Sequence, residues 1–372
     1  MKKFINRNSY IINLFLVWRV LLFVFLFFAI KLLPLQQHFI GGGIERYLKD
    51  PWLWAWANFD GENYLSIAQY GFMFVGQAFF PLYPLFIKLF GSGILSGLLI
   101  SNLSFLLALI GLFKLIKLDY SEKVARLSIL LLLLFPTSFY FGSVYSESLF
   151  LALVVWSYYT ARKEKWLLTG ILGALASATR VIGVILLPVL LIEILIKKKK
   201  VEIKHWPLLL IPLGIVCYMI YLGRFFGDSL TFIHSQVSVG EQRSSGIILL
   251  PQVFYRYIFK VIPNLNFSYF PIVFTTFLEL GSGLLFLKLS VYSFWKLKLS
   301  YALFLSIGFL IPTLTGSFSS LPRYVLVLFP AFILLALWIE KLSRPFKIVI
   351  YGILFISLAI ASGLFLRGYW VS

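Results

Sequence analysis

The sequence predicts an all-α polytopic membrane protein with about 11 transmembrane helices, two external loops (34–90 and 227–267) and no soluble domain. Three observations carry this. Of 372 residues, 60% are hydrophobic and only 13% charged, where a soluble domain carries about 25% charged residues. Several apolar runs of about 20 residues match the hydrocarbon thickness of a bilayer. The basic residues stand in short clusters between those runs, as in cytoplasmic loops. The net charge of +19 therefore forms neither patch nor tail, and no nucleic-acid partner is expected.

Each element follows in order. Lys2, Lys3 and Arg7 place the start of the chain in the cytoplasm, and no small-residue cleavage site follows, so residues 10–33 read as a retained first helix. Residues 34–80 are too polar to span. The run 79–90 (FFPLYPLFIKLF) reads as a short interfacial helix, and 91–113 as the return to Lys114 and Lys117. Two intervals are more telling: 35 residues separate Arg126 from Arg162, and 31 separate Lys165 from Lys197. Both ends of each are basic, so each must hold an even number of crossings. A single 31-residue helix would be about 46 Å long and end on the wrong side. Two helices of about 15 residues reach only about 22 Å each, so their turns lie low in the outer leaflet, facing protein or a wet cavity. The first turn is FPTSFYFGSVYSES (135–148), and the second contains Thr179 and Arg180. Further helices are expected over 206–226, 268–290, 299–316, 323–340 and 346–366. This threading leaves 21 Lys/Arg on cytoplasmic segments, 11 on external ones and Arg19 inside the first helix. Glu193 reads as snorkelling towards the lysines at 197–200, and Glu279 as facing the bundle interior. Arg19 reads as a structural interior pair.

On this threading Asp60, Glu62, Glu147, Arg180, Asp228, His234 and Arg323 fall on the external side. Arginines dipping into the outer leaflet are costly unless an anion meets them. A guanidinium holds phosphate oxygens in a bidentate fork, and a nearby carboxylate can take a proton from an attacking hydroxyl. These parts suit group transfer from a lipid-linked phosphate donor, in which the phosphate is already a good leaving group. They are expected to share one non-cytosolic pocket. Plainer roles remain open: Asp60 as a helix cap, Glu62 as a first-turn acid, Arg180 as a partner of Glu147, Arg323 as an interfacial anchor, and His234 as a loop histidine. The aromatic residues from Trp52 to Tyr83 form either an interfacial belt or a sugar-stacking wall. Cys217 is the single cysteine and lies in an apolar run, while His38, His205 and His234 are far apart. No metal or cofactor motif is evident.

FDGENYLSIAQYGF followed by AFFPLYPLF (59–86), FPTSFYFGSVYSESLF (135–150), GALASATRVIGV (173–184), GDSLTFIHSQ (227–236) and LPRYVLVLFP (321–330) occur in that order. Together they resemble the PIG-V family of mannosyltransferases, the GPI mannosyltransferase 2 type, within the C-type (GT-C) membrane glycosyltransferases. The resemblance implies a GT-C-like fold and a polyprenyl- or dolichyl-phosphate-mannose donor. It also implies a glycolipid or surface glycan acceptor outside the cytoplasm, as in GPI anchor biosynthesis. Asp60 matches the family's first-loop aspartate and inherits the role of catalytic base, with Glu62 beside it. Arg180, Arg323 and His234 are then expected at the donor phosphate. Trp56, Tyr64, Tyr83, Tyr145, Glu147, Asp228, Gln236 and Tyr324 are expected to position substrate. Phe59 stands where the family typically has Trp before that aspartate, and the chain is shorter than the eukaryotic GPI enzymes. Both favour a prokaryotic relative in the plasma membrane over an ER enzyme. The alternative reading is a transporter or flippase of lipid-linked sugars, whose ionisable groups belong near the midplane on repeated halves; no repeat is visible here.

Overall fold

A computed structural model describes residues 2–38, 40–72, 76–235, 244 and 246–371. The described residues contain helices of several kinds and no strand. Among the described residues, five helices are long and apolar enough to cross a bilayer: Asn8–Leu32, Ile94–Ile116, Ile203–Phe226, Phe270–Lys296 and Arg344–Leu366. A sixth span results if Leu321–Val327 and Phe329–Glu340, bent by 86°, count as one. Of the 11 crossings expected, these are the ones that appear as full-length helices. The intervals expected to hold paired half-length helices do hold them. Glu122–Leu134 and Glu147–Arg162 have 13 and 16 residues, and Trp166–Ser177 and Leu186–Lys198 have 12 and 13. The chain divides into two compact units.

The first unit comprises residues 1–69, 83–159 and 335–369. Its long helix Lys2–Leu32 buries Ile11, Phe15, Trp18, Leu22, Leu26 and Ala29, spaced three or four apart, and exposes Leu16, Val17, Val20, Val24 and Phe27. The buried stripe packs on Arg344–Leu366 and Ile94–Ile116, with Trp18 and Phe105 rings 5.0 Å apart. The outward side chains suit lipid, and since lipid is as apolar as they are, close packing rather than water exclusion holds these helices together. The turn at 135–148 is buried, and its serines close the open helix ends: Ser138 Oγ donates to Leu133 O, Ser143 Oγ to Phe139 O and Ser148 Oγ to Phe141 O. A turn at membrane depth needs such internal partners.

The second unit comprises 70–82, 160–334 and 370–372. Gly170 and Gly173 let the Ile203–Leu210 segment lie directly on Trp166–Ser177: a Cβ at 170 would sit 2.0 Å from Pro207 O. Ser177 Oγ donates to Ile211 O at 2.5 Å. Tyr218 reaches the Gln77 and Phe79 carbonyls at 2.9 Å each and forms a cluster with Phe80, Leu222 and Phe232. Glu193 does not snorkel towards the lysines. It pairs with Arg162 and accepts from Ser300 Oγ at 2.7 Å, a guanidinium and a hydroxyl supplied by other helices. Glu279 is interior, as its sequence position implied, and accepts from Tyr257 Oη at 2.7 Å.

Candidate functional site

In the first unit the sequence folds around Asp60 through a single asparagine. Asn58 Oδ1 accepts from Gly41 N at 3.0 Å and Asn58 Nδ2 donates to Phe365 O at 2.8 Å. Tyr145 Oη donates to Asn58 O at 2.9 Å. Phe59 then takes φ 57°, in the left-handed region, and the chain enters the helix Asp60–Tyr70. Asp60 opens that helix, partly exposed, while Glu62 is exposed in the first turn. Both positions suit an acid, since the helix N-terminus carries partial positive charge. Partial desolvation raises the Glu62 carboxyl above its ordinary range.

The turn ending at Glu147 is bound to the same loop. Val144 N donates to Trp56 O at 2.9 Å and Tyr64 Oη to Ser146 Oγ at 2.9 Å. Gly61 lies against Val144 O, where a Cβ would come to 3.4 Å. Tyr83 hydrogen-bonds Ser101 Oγ at 2.7 Å and Gly97 O at 3.1 Å. Its ring meets Tyr64 edge-on at 4.9 Å. Glu147 is 1% exposed and begins the helix Glu147–Arg162.

Trp56, Tyr83 and Tyr145 are at most 1% exposed, so they present no sugar-stacking wall. Each ring is packed and each polar atom bonded, with Trp56 Nε1 donating to Trp52 O. Any influence they have on substrate is exercised through the Asp60 loop. Arg19 forms no interior carboxylate pair among the described residues. Its guanidinium lies 4.1 Å from the Trp56 ring and 4.7 Å from the Phe23 ring, a cation–π arrangement that supports Trp56 from the first helix.

The second unit brings together two arginines 143 positions apart. Arg180 sits in extended conformation just after the helix Trp166–Ser177, its carbonyl accepting from Gly183 N at 2.9 Å. Gly183 is required there: a Cβ would lie 2.5 Å from the Ala176 backbone. Arg323 lies in the short helix Leu321–Tyr324, which follows Ser320 at φ 65°, and is 7% exposed. The Arg180 guanidinium is 5.2 Å from the centre of the Tyr324 ring and that of Arg323 is 5.0 Å from it. Arg323 Nη2 also donates to Tyr324 Oη at 3.4 Å. Two guanidinium groups gathered on one phenol ring form a concentrated cationic centre.

Asp228 and His234 pair with each other at 2.7 Å on the surface of this unit, and Asp228 Oδ1 accepts from Leu230 N at 2.8 Å. These bonds hold the Asp228 carboxyl below its ordinary range and account for both side chains within the loop. Gln236 lies outside the described residues. Asn58, Ser101 and Ser146 were not among the expected site residues. Asn58 alone left a trace, two positions before Asp60.

Loss of the Asn58 side chain should uncouple this loop. Asn58→Ala leaves a buried N–H and a buried carbonyl without partners, at about 1–3 kcal/mol each. Thermal unfolding of the detergent-solubilised chain should show a clearly lower midpoint than wild type. An unchanged midpoint would mean that the loop is held elsewhere.

Residues 79–222 match the family model described as dolichyl-phosphate-mannose-protein mannosyltransferase. That stretch contains Tyr83, Tyr145, Glu147 and Arg180 but not Asp60. No curated protein matches the chain. Among solved structures, the crystal structure of ArnT from Cupriavidus metallidurans bound to undecaprenyl phosphate is similar, with a TM-score of 0.51 and 17% identity. The likeness covers 95% of this chain and 63% of that one, so the chain spans less than two thirds of ArnT. The chain is a multi-pass integral membrane protein with an all-helical fold like that of ArnT.

Proposed function

We propose that this protein is an inverting membrane glycosyltransferase. It moves a mannosyl, or more broadly a hexosyl, residue from a polyprenyl- or dolichyl-phosphate donor to a lipid-linked or surface glycan acceptor on the non-cytoplasmic face. The observation that carries the reading is the pair of guanidinium groups on Tyr324. Guanidinium forks match phosphate oxygens and stay charged at any physiological pH. The matched mannosyltransferase family and the undecaprenyl phosphate named with ArnT agree with such a donor.

In the mechanism, Asp60 accepts the proton of an acceptor hydroxyl as its oxygen attacks the anomeric carbon. The new C–O bond forms on the face opposite the phosphate, and the old bond from anomeric carbon to phosphate oxygen breaks. The lipid phosphate departs with that electron pair, held by Arg180 and Arg323. Negative charge grows on the leaving oxygen in the transition state, so cations positioned beforehand supply much of the acceleration. Glu62 orients sugar hydroxyls, and buried Glu147 with the Trp56–Tyr64–Tyr83–Tyr145 framework holds the Asp60 loop in place. The Phe59 substitution relative to the PIG-V pattern suits an acceptor other than a GPI precursor.

The test uses the purified full chain in liposomes with a panel of labelled polyprenyl-phosphate sugars and a membrane glycolipid extract. Lipid-phosphate mannose should be consumed and mannose should appear on an acceptor, joined by a glycosidic bond of inverted anomeric configuration. Movement of intact donor across the bilayer with no new glycoside would replace this reading by the transporter.

A further inference from the structure

Apart from the arginine centre, the second unit has a recess of about 30 Å³ among the ends of three helices. Ala161 and Arg162 close the helix Glu147–Arg162, Trp166 opens the next, and Leu190 to Lys198 end a third. Its carboxylates are already engaged: Glu193 with Arg162, and Glu164 with Lys198 at 2.7 Å. Lys197 also lines it, exposed and outside those pairs.

Two buried donors, one on the lining residue Trp166 and one on its neighbour His205, are left over. Trp166 Nε1 is buried without a hydrogen-bond partner, and so is His205 Nε2 on the segment packed against it. His205 is 2% exposed. Its Nδ1 accepts from Glu202 N at 2.8 Å, so the ring proton must sit on Nε2, which is therefore a donor. The His205 and Trp166 rings meet edge to face, with centroids 4.6 Å apart. One such contact turns a single ring edge onto the other's face, so it can satisfy only one of the two N–H groups. Buried donors without acceptors are rare and mark a missing partner. Beside an ammonium group, that partner is an anion.

We infer that this recess binds a phosphate-bearing anion, the headgroup of an anionic phospholipid in the leaflet next to the lysine clusters. Ala161, Leu190 and Ile194 supply an apolar floor beneath the cation, which suits an amphiphile more than a free ion. Positive-inside bias makes that leaflet the cytoplasmic one, where anionic lipids attract basic segments. Lys163, Lys165, Lys199 and Lys200 surround the recess in sequence and strengthen the local field.

The experiment counts lipid retained by the purified full chain in nanodiscs of phosphatidylcholine doped with phosphatidylglycerol, using native mass spectrometry. Wild type should keep phosphatidylglycerol in preference to phosphatidylcholine. Trp166→Phe, which removes the N–H and keeps the ring, should weaken retention about ten-fold. Lys197→Ala should weaken it about five-fold, and Lys197→Arg should restore it. Inorganic phosphate is the competing arm: displacement of the lipid supports the anion site and makes a soluble phosphate its ligand, whereas failure to displace assigns the lipid. Equal phosphatidylglycerol retention by wild type, Trp166→Phe and Lys197→Ala, with all three monodisperse, would overturn the inference.

Discussion

Asp60→Asn is expected to lower sugar transfer by about 10²–10⁴-fold, the usual contribution of a positioned base, while the chain folds as before. Asparagine is nearly isosteric with aspartate and is accepted at a helix start, so the Asp60–Tyr70 helix should persist. The loss should fall on kcat with donor KM little changed, because the carboxylate acts on the acceptor proton and not on the phosphate. Asp60→Ala should be no worse for chemistry but should also lower the unfolding temperature. Transfer by Asp60→Asn at the wild-type rate, in membranes supplied with labelled lipid-phosphate mannose, would end the assignment of Asp60 as base.

The second large effect is expected at the arginine centre. Arg180→Ala or Arg323→Ala removes a charge-assisted contact worth about 1.5–3 kcal/mol, so kcat/KM for the donor should fall about 10- to 100-fold. Lysine at either position should recover part of the loss, as it restores charge but not the fork. Both guanidinium groups lie on Tyr324, so the double variant should lose less than the product of the single losses. Tyr324→Leu should mimic a mild form of both changes, chiefly in donor KM. An unchanged donor dependence in Arg180→Ala would remove that residue from the phosphate site.

How much of this was legible in the chain depends on the range of the interaction. The half-length helix pairs were readable because the 31- and 35-residue intervals between basic residues leave little choice of geometry. The Lys2–Leu32, Ile94–Ile116 and Arg344–Leu366 helices were readable from apolar length alone. The meeting of Arg180 with Arg323 was expected as a shared role, but no local pattern encodes their common contact with Tyr324. The aromatic residues of the first loop illustrate the converse. Spacing cannot tell a ring that faces water from one whose hydroxyl is bonded beneath the surface, and Tyr64 and Tyr83 proved to be the latter. Glu193 was misread because its partner Ser300 is 107 positions away.

Phe59 has a consequence for how this protein would fail. A side chain other than glycine held at φ 57° carries an intrinsic penalty of about 1–2 kcal/mol, and here it is imposed from both sides by Asn58 and by the helix that follows. The peptide is like a cocked spring whose release moves the neighbouring carboxylate and leaves the rest of the membrane scaffold standing. Warming, or a weakened restraint at position 58, should therefore silence the protein well below the temperature at which it unravels. Conditional alleles sought by random mutagenesis should gather on residues 58–59 and on Tyr145.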